Sequence, residues 1–242
     1  MRILLFLFFF LLFPTLSPAA GFDCAKAFTA VEKLICGNPQ LSAQDEELSV
    51  AYREATSQAS DSTSLVLDQK RWLQIERGSC RDENCLKKVY RERIGELRRW
   101  HEAAPEDKDI FGNYVIQRDN FIFNPYKRTN EPVKTEDCLT LKPSAGNRVH
   151  FSFVHVGANA HTCSMEGHAV FTGSGYQSVP DADDPDAPQD CKLQIRIKRH
   201  TIALEDPDGE CRAYYCGVRA GIDGVEFGRR QKVSKECKQP YQ

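Results

Sequence analysis

Ten cysteines constrain the fold of this chain more than any other feature of its sequence. The number is even, and all ten lie beyond residue 23. In an exported chain such a set is typical of a disulfide framework rather than of metal ligands or reactive thiols. We therefore expect every cysteine to be paired. They are Cys24, Cys36, Cys80 and Cys85 in the first half, and Cys138, Cys163, Cys191, Cys211, Cys216 and Cys237 in the second half, where the pairing is open.

The first residues indicate that the chain is exported. Arg2 is followed by an unbroken run of eleven apolar residues, 3–13, and then by small or helix-breaking residues that end in Ala19 and Ala20. This order is typical of a secretory signal peptide, whereas a membrane-spanning helix needs about 20 apolar residues. We expect residues 1–20 to be a signal peptide cleaved after Ala19 or Ala20. The product is then periplasmic or secreted and has no transmembrane segment.

Up to about residue 104 the apolar residues follow a helical period. They recur every three or four positions, and the pattern predicts four helices. We expect Ser42, with Asp45 three residues later, to open the second helix and Gly78 to end the third. The residues that mark one face of each predicted helix are Ala27, Phe28, Val31, Leu34 and Ile35; then Leu48, Tyr52 and Ala55; then Leu65, Trp72 and Ile75; then Leu86, Val89, Tyr90, Arg93, Ile94 and Leu97.

From about residue 105 the period shortens to two. Phe151 and Phe153 alternate with polar residues, and apolar residues alternate with polar or basic ones over 191–198. This alternation is typical of half-buried β-strands. The sequence therefore predicts an α+β chain of two domains. A small disulfide-stapled helical module, residues 21–104, precedes a small antiparallel β domain, residues 105–242, which forms a sandwich or a partly closed barrel.

Charge and motifs argue against several classes of function. The net charge of the whole chain is −2, whereas a dedicated nucleic-acid binder carries a strongly basic domain or stripe. The sequence has no Walker loop and no His-Glu-x-x-His, and Gly173-Ser174-Gly175 lacks the spacing of a nucleophile elbow. We expect no enzymatic activity, no cofactor and no nucleic-acid partner. An uncharacterised hydrolase is the alternative left open.

Two further clusters have the composition of a metal site. An acidic run does not fit the calcium loop of an EF-hand, because aspartate stands where the sharp turn needs glycine. A histidine cluster could supply zinc ligands, but its cysteine is expected in a disulfide in an exported chain. We therefore expect no metal site. The clusters are Asp181, Asp183, Asp184, Asp186 and Asp190, and His155, His161, Cys163 and His168.

Four cysteines and several short motifs in the first half match a known family pattern. The matching residues are Asp23-Cys24-Ala25-Lys26-Ala27, Glu32-Lys33-Leu34-Ile35-Cys36, Pro39, Leu41-Ser42, Asp45, Leu48, Ala51-Tyr52, Gln69, Arg71-Trp72-Leu73, Arg77, Cys80, Asp82, Cys85-Leu86, Tyr90 and Arg93-Ile94. Over about residues 23–97 the chain thus resembles the LprI-like lysozyme-inhibitor family. The resemblance implies an exported helical disulfide module with a protein partner, for which host lysozyme is the candidate. The second half resembles no family that we can name.

The four cysteines of this module bracket two features. Cys24 and Cys36 flank the first helix, and Cys80 and Cys85 flank the turn between the third and fourth helices. Two cross-links from that helix to that turn would tie the ends of the module together. We therefore favour Cys36–Cys80 with Cys24–Cys85, although four cysteines allow three connectivities. Each link contributes about 2–4 kcal/mol to a module whose core is small.

The segment between Cys80 and Cys85 carries the charged residues Arg81, Asp82 and Glu83. A loop with fixed ends loses less entropy on binding. The cleft of lysozyme, a basic protein, holds two carboxyl groups, so Arg81 could enter it while Asp82 and Glu83 meet the rim. The alternative is a solvated turn in which Asp82 caps the fourth helix.

These observations predict an exported binding protein of the bacterial envelope that is a candidate lysozyme inhibitor. The alternative is a structural or interaction module that does not inhibit lysozyme and whose β domain binds an unknown ligand. A lysozyme assay separates the two predictions.

The N-terminus of the exported protein is the first test. We predict that it begins at Ala20 or Gly21 and carries no lipid, because a bacterial lipid anchor needs a cysteine directly after the small residues. Here residues 21–23 intervene before Cys24. Intact-mass measurement of the exported protein checks this. A mass that includes the signal peptide or added acyl chains would contradict it.

Overall fold

The computed structural model describes residues 21–103, 110–180, 188–235 and 237. Four α-helices come first and a nine-stranded sheet follows, with a short fifth helix inserted before the eighth strand. The predicted α+β class is confirmed. The signal peptide, residues 1–20, and the domain boundary predicted at residue 104 lie outside the described residues, so both stay predictions.

The helices are α1 (Ala30–Gly37), α2 (Pro39–Ser57), α3 (Thr63–Trp72), α4 (Glu83–Arg98) and α5 (Glu210–Tyr215). A capping box opens α1, because the Thr29 hydroxyl accepts from the Glu32 amide and the Glu32 carboxylate accepts from the Thr29 amide. Asn38 caps the next helix, and Pro39 occupies its first position. Within the described ranges, no helix is long and apolar enough to cross a membrane.

The predicted opening of the second helix at Ser42 is wrong. Ser42 is buried inside α2, and its hydroxyl donates to the carbonyl oxygen of Ile35 at 2.8 Å. The helix starts about one turn earlier because an asparagine cap followed by proline is a stronger start signal. The third helix does end at Gly78, after α3 continues through a π-helical turn, Leu73–Arg77.

The helices share one apolar core. Trp72 is 1% exposed and packs edge-on against Tyr90, with ring centroids 5.5 Å apart. Phe28 was predicted in this core but is 88% exposed, because it precedes the cap at Thr29 rather than lying in α1. The core consists of Val31, Ile35, Leu41, Leu48, Ala51, Ala55, Leu65, Trp72, Cys80, Leu86, Tyr90, Ile94, Leu97 and Trp100.

The sheet is an antiparallel meander. Its strands are β1 (Gly112–Asn124), β2 (Thr129–Ser144), β3 (Arg148–Val156), β4 (Thr162–Phe171), β5 (Gly175–Val179), β6 (Gln194–Ile197), β7 (Thr201–Glu205), β8 (Val225–Gly228) and β9 (Lys232–Val233). From β1 to β8 each strand pairs with the next in sequence, and β9 adds to the free edge of β1. Because β8 lies close to β1, the sheet is a nearly closed, barrel-like form.

Alternating side chains fill the inside of the sheet, as the sequence predicted. In β3, Phe151 and Phe153 are buried and stand opposite Leu141 and Leu139 of β2. The strand expected over 191–198 is confirmed, although it is shorter at both ends. These inward residues form a second apolar core, so each half of the molecule has its own.

The disulfide pairing favoured for the helical part is wrong. The structure joins Cys24 to Cys36 and Cys80 to Cys85, with Cα–Cα distances of 5.7 and 5.5 Å. A 3-10 turn, Cys24–Lys26, folds back onto the end of α1 and brings the first pair together. Both bridges therefore close short local loops, which costs little entropy, instead of linking the helix to the turn.

The six remaining cysteines stabilise the sheet. Three bridges join Cys138 to Cys237, Cys163 to Cys216, and Cys191 to Cys211, so all ten cysteines are paired. The first bridge spans 99 residues and fastens the segment after β9 to β2. The second bridge joins β4 to the residue that follows α5, and the third joins the segment before β6 to α5 itself.

The helical part packs against the sheet through polar contacts. Arg118 of β1 bonds to Asp61 at 2.6 Å and to Thr63 at 2.7 Å, at the start of α3. Burial raises the pKa of Asp61, but the Arg118 guanidinium outweighs that effect and holds the pKa below its usual value. Ser64 donates to the carbonyl oxygen of Glu226 in β8 at 3.0 Å. The two halves are therefore held in a defined arrangement.

Loop length gives the second prediction. In the chain-entropy model, the Cys138–Cys237 bridge contributes about 4–5 kcal/mol to the free energy of unfolding. The Cys80–Cys85 bridge contributes about 2 kcal/mol, because its cysteines are separated by only 5 positions in the sequence. Replacing the first pair with alanine should lower the free energy of unfolding more than replacing the second. Denaturant unfolding of both double variants measures this, and the buried Cys138 and Cys80 make the packing losses comparable. Equal or reversed losses would contradict the ranking.

Candidate functional site

The charged loop predicted to contact a partner lies between the π-helical turn and α4. The Cys80–Cys85 disulfide closes it, and Cys80 is 2% exposed within the helical core. One end of the loop is therefore anchored in the core, and the other lies in the first turn of α4. The backbone between them has little freedom.

The two acidic side chains of the loop hold its shape. Asp82 caps α4 by accepting a hydrogen bond from the Cys85 amide at 2.9 Å, as the solvated-turn alternative expected. Glu83 accepts a bond from the Asn38 side chain at 2.5 Å and pairs with Lys87 at 3.3 Å. Because Asn38 also caps α2, this contact fixes the loop to the starts of two helices.

Arg81 has a different position. It is exposed, and one terminal nitrogen donates to the carbonyl oxygens of Gly78 at 3.2 Å and Cys80 at 3.3 Å. Within the part of the chain that the structure describes, Arg81 forms no ion pair. The loop thus presents an exposed arginine on a turn of fixed shape. Such a group can bind a carboxylate with little ordering cost.

The fourth helix is less uniformly basic at its surface than its sequence suggests. Arg93 is buried, with a side chain that is 0% exposed. It bonds to Asp68 at 2.6 Å, to Gln69 at 2.9 Å and to Glu96 at 3.0 Å. Its guanidinium also lies over the Trp100 ring, 5.6 Å from the centroid. The periodic pattern places Arg93 on the same helix face as Ile94, but it gives no signal for the partners Asp68 and Gln69, which another helix supplies.

The described members of the histidine cluster have separate partners. His155 bonds to the buried carboxylate of Asp137 at 2.7 Å, and Cys163 is in its disulfide with Cys216. Among the described residues, no group of three or more His, Cys, Asp or Glu could hold a metal ion. Most of the acidic run, residues 181–187, lies outside them. The Asp137 contact was missed because it depends on strand pairing that the sequence does not reveal.

The fold defines a class: a disulfide-stapled helical module that packs on a nearly closed antiparallel sheet and presents a cross-linked charged loop. Residues 24–97 match the family model described as "Lysozyme inhibitor LprI". This range covers α1 to α3, α4 up to its last residue but one, the disulfides Cys24–Cys36 and Cys80–Cys85, and the loop. No solved structure matches the chain.

Curated relatives carry the name of the same family. "Lipoprotein LprI" of Mycobacterium tuberculosis (strain ATCC 25618 / H37Rv) and of Mycobacterium bovis (strain ATCC BAA-935 / AF2122/97) are 33% identical over 88 residues. The alignment covers 34% of this chain and 44% of each relative. The chain therefore spans less than half the length of the curated relatives it matches.

Proposed function

We propose that the chain is an exported, non-enzymatic binding protein whose helical part inhibits lysozyme. The match of residues 24–97 to the LprI lysozyme-inhibitor family is the observation that carries this proposal. The five disulfides are consistent with an oxidising compartment outside the cytoplasm. The partner is a protein, and lysozyme is the candidate.

The cross-linked loop is the proposed contact. Arg81 is exposed on a turn whose shape is fixed by a disulfide, a helix cap and the Glu83–Asn38 bond. A glycosidase cleft holds two carboxyl groups, and a guanidinium fits a carboxylate through two parallel hydrogen bonds. The acidic groups Asp82 and Glu83 complement the basic surface around that cleft.

The proposed location is the periplasm or the exterior, without a lipid anchor. The curated relatives are named lipoproteins. In this chain Cys24 is bonded to Cys36, which leaves its sulfur unavailable for an acyl chain. We therefore propose a soluble product of signal cleavage.

A cell-wall clearing assay with a panel of purified lysozymes tests the function. Adding the full mature chain should slow clearing, and Arg81→Ala should weaken inhibition by about tenfold or more because a central charged contact is lost. The matched control is Arg53→Ala, an exposed arginine of α2 that lies roughly 20 Å along the helix from Asn38. It should change inhibition by less than about twofold, and so should Asp184→Asn in the acidic run.

The full chain is the correct reagent, because the Arg118–Asp61 contacts cross from the sheet to the helices. Equal effects of Arg81→Ala and Arg53→Ala on inhibition would show that the loop is not part of the interface. If no lysozyme is inhibited, the non-inhibitory binding protein becomes the leading function. Clearing by the chain alone would instead indicate a hydrolase.

A further inference from the structure

A hairpin arm extends from the sheet beyond the strands that flank it. β2 pairs with β3 only from Cys138 onwards, and β9 pairs with β1 only at Asn113 and Tyr114. Over residues 116–137, which we call the hairpin arm, β1 and β2 therefore pair only with each other among the described strands. Each strand of the arm is about 30 Å long. This end of the sheet is thus a two-stranded ribbon outside the core.

The loop that follows β3 holds the arm in place. The Asn120 side chain donates to the carbonyl oxygen of Val156 at 2.7 Å. The Phe123 amide donates to the side-chain oxygen of Asn159 at 2.9 Å. These contacts support the arm almost as far as its turn, so the end of the arm has a defined position. The supporting loop, residues 157–160, carries no charge.

The end of the arm exposes large apolar side chains. Phe121, Ile122 and Phe123 are 55%, 39% and 47% exposed, and Tyr126 in the turn is 97% exposed. Single exposed apolar side chains are common on folded proteins, whereas a cluster of them marks a site of interaction. These four side chains lie within residues 121–126, and we call them the apolar tip.

The apolar tip is exposed on both faces of the ribbon and at its end. Successive side chains of a strand point to opposite faces, so Phe121 and Phe123 lie on one face and Ile122 on the other. A groove on a protein partner would cover one face, whereas a lipid bilayer surrounds a tip that enters it. Tyrosine, the residue at the end, is enriched where proteins meet the membrane–water interface. The arrangement therefore favours a lipid surface.

The charges around the tip complement an anionic lipid surface. Lys127 and Arg128 directly follow Tyr126, and the Arg128 side chain has no ion-pair partner within the described ranges. Glu131 is the only carboxylate between residues 120 and 135. It is paired with Lys127 at 2.8 Å and accepts a hydrogen bond from Asn124 at 3.0 Å. The end of the arm is therefore net positive, and it attracts anionic headgroups.

We propose that the apolar tip binds the surface of a membrane that contains anionic phospholipids. Its side chains enter the boundary between headgroups and acyl chains to a depth of about 5–10 Å, while Lys127 and Arg128 meet the phosphate groups. Such binding needs no covalent lipid, so it agrees with the pairing of Cys24 in a disulfide. The tip contains no residue of the Cys80–Cys85 loop. Membrane binding and lysozyme inhibition can therefore fail independently.

Sedimentation of the full mature chain with lipid vesicles tests the proposal. The chain should bind vesicles of phosphatidylcholine mixed with phosphatidylglycerol, and bind phosphatidylcholine alone more weakly. Phe123→Ser should weaken binding about tenfold or more, because less apolar surface leaves water on binding. The matched control is Phe28→Ser, since Phe28 is 88% exposed but lies in the helical part. It should change binding by less than about twofold.

A charge variant tests the second element of the site. Arg128→Gln should weaken binding to the phosphatidylglycerol vesicles about fivefold, because a basic residue near an anionic surface loses its attraction. Its binding to phosphatidylcholine alone should stay the same. The matched control is Arg53→Gln, an exposed arginine of α2, which should change binding to either vesicle by less than about twofold.

Tyr126→Trp reports directly whether the tip enters the lipid. Trp72 and Trp100 are buried, so their emission should stay constant. The emission of the new ring should shift to shorter wavelength with the anionic vesicles, and brominated acyl chains should quench it. Binding without that shift would overturn the proposal, because another surface would then meet the lipid.

Two further results would contradict membrane binding by the tip. Absence of binding at about 1 mM anionic lipid would overturn it and leave the tip as a surface for a protein partner. Equal weakening by Phe123→Ser and Phe28→Ser would overturn it too, since that result indicates nonspecific adsorption.

Discussion

The buried guanidinium of Arg93 is the interaction on which the arrangement of the two halves depends. It lies between two tryptophan rings and bonds to Asp68, Gln69 and Glu96, all within the helical part. The carboxylates of Asp68 and Glu96 in turn receive Arg230 from the sheet. Removing one member of such a buried network leaves an uncompensated charge, which typically costs about 3–5 kcal/mol. The same group of charged side chains therefore holds the helices together and attaches them to the sheet.

Much of the fold could be predicted from the sequence, because hydrophobic periodicity and the number of cysteines are known without knowing which residues are in contact. Alternation located β3, the helical period located α3 and α4, and an even set of cysteines indicated complete pairing. The disulfide connectivity of the helical part could not be predicted, because it depends on how the 3-10 turn at Cys24 folds back onto α1. Ser42 resembles a helix cap in the sequence because Asp45 follows three residues later. Its hydroxyl instead contacts the carbonyl oxygen of Ile35 in the preceding helix, and the sequence gives no sign of that contact.

The candidate site was predictable in position but not in detail. The spacing of Cys80 and Cys85 located a constrained loop, and the structure shows that its acidic residues stabilise the turn while Arg81 remains exposed. The exposure of the apolar tip left no sequence signal, since residues 121–123 have the composition of a buried strand and only the strand pairing shows that the hairpin arm extends beyond β3. Both regions are pre-organised, one by a disulfide and the other by the contacts of the arm with the loop after β3. Pre-organisation of this kind is what a binding protein needs.

We propose that a protein partner contacts the cross-linked loop. Hydrogen–deuterium exchange of the full mature chain, alone and with excess lysozyme, tests that contact directly. We expect slower exchange at the amides of residues 78–87, which cover the loop and the first turn of α4, with exchange in the sheet unchanged. Slower exchange in the sheet alone, or no change anywhere in the chain, would contradict it.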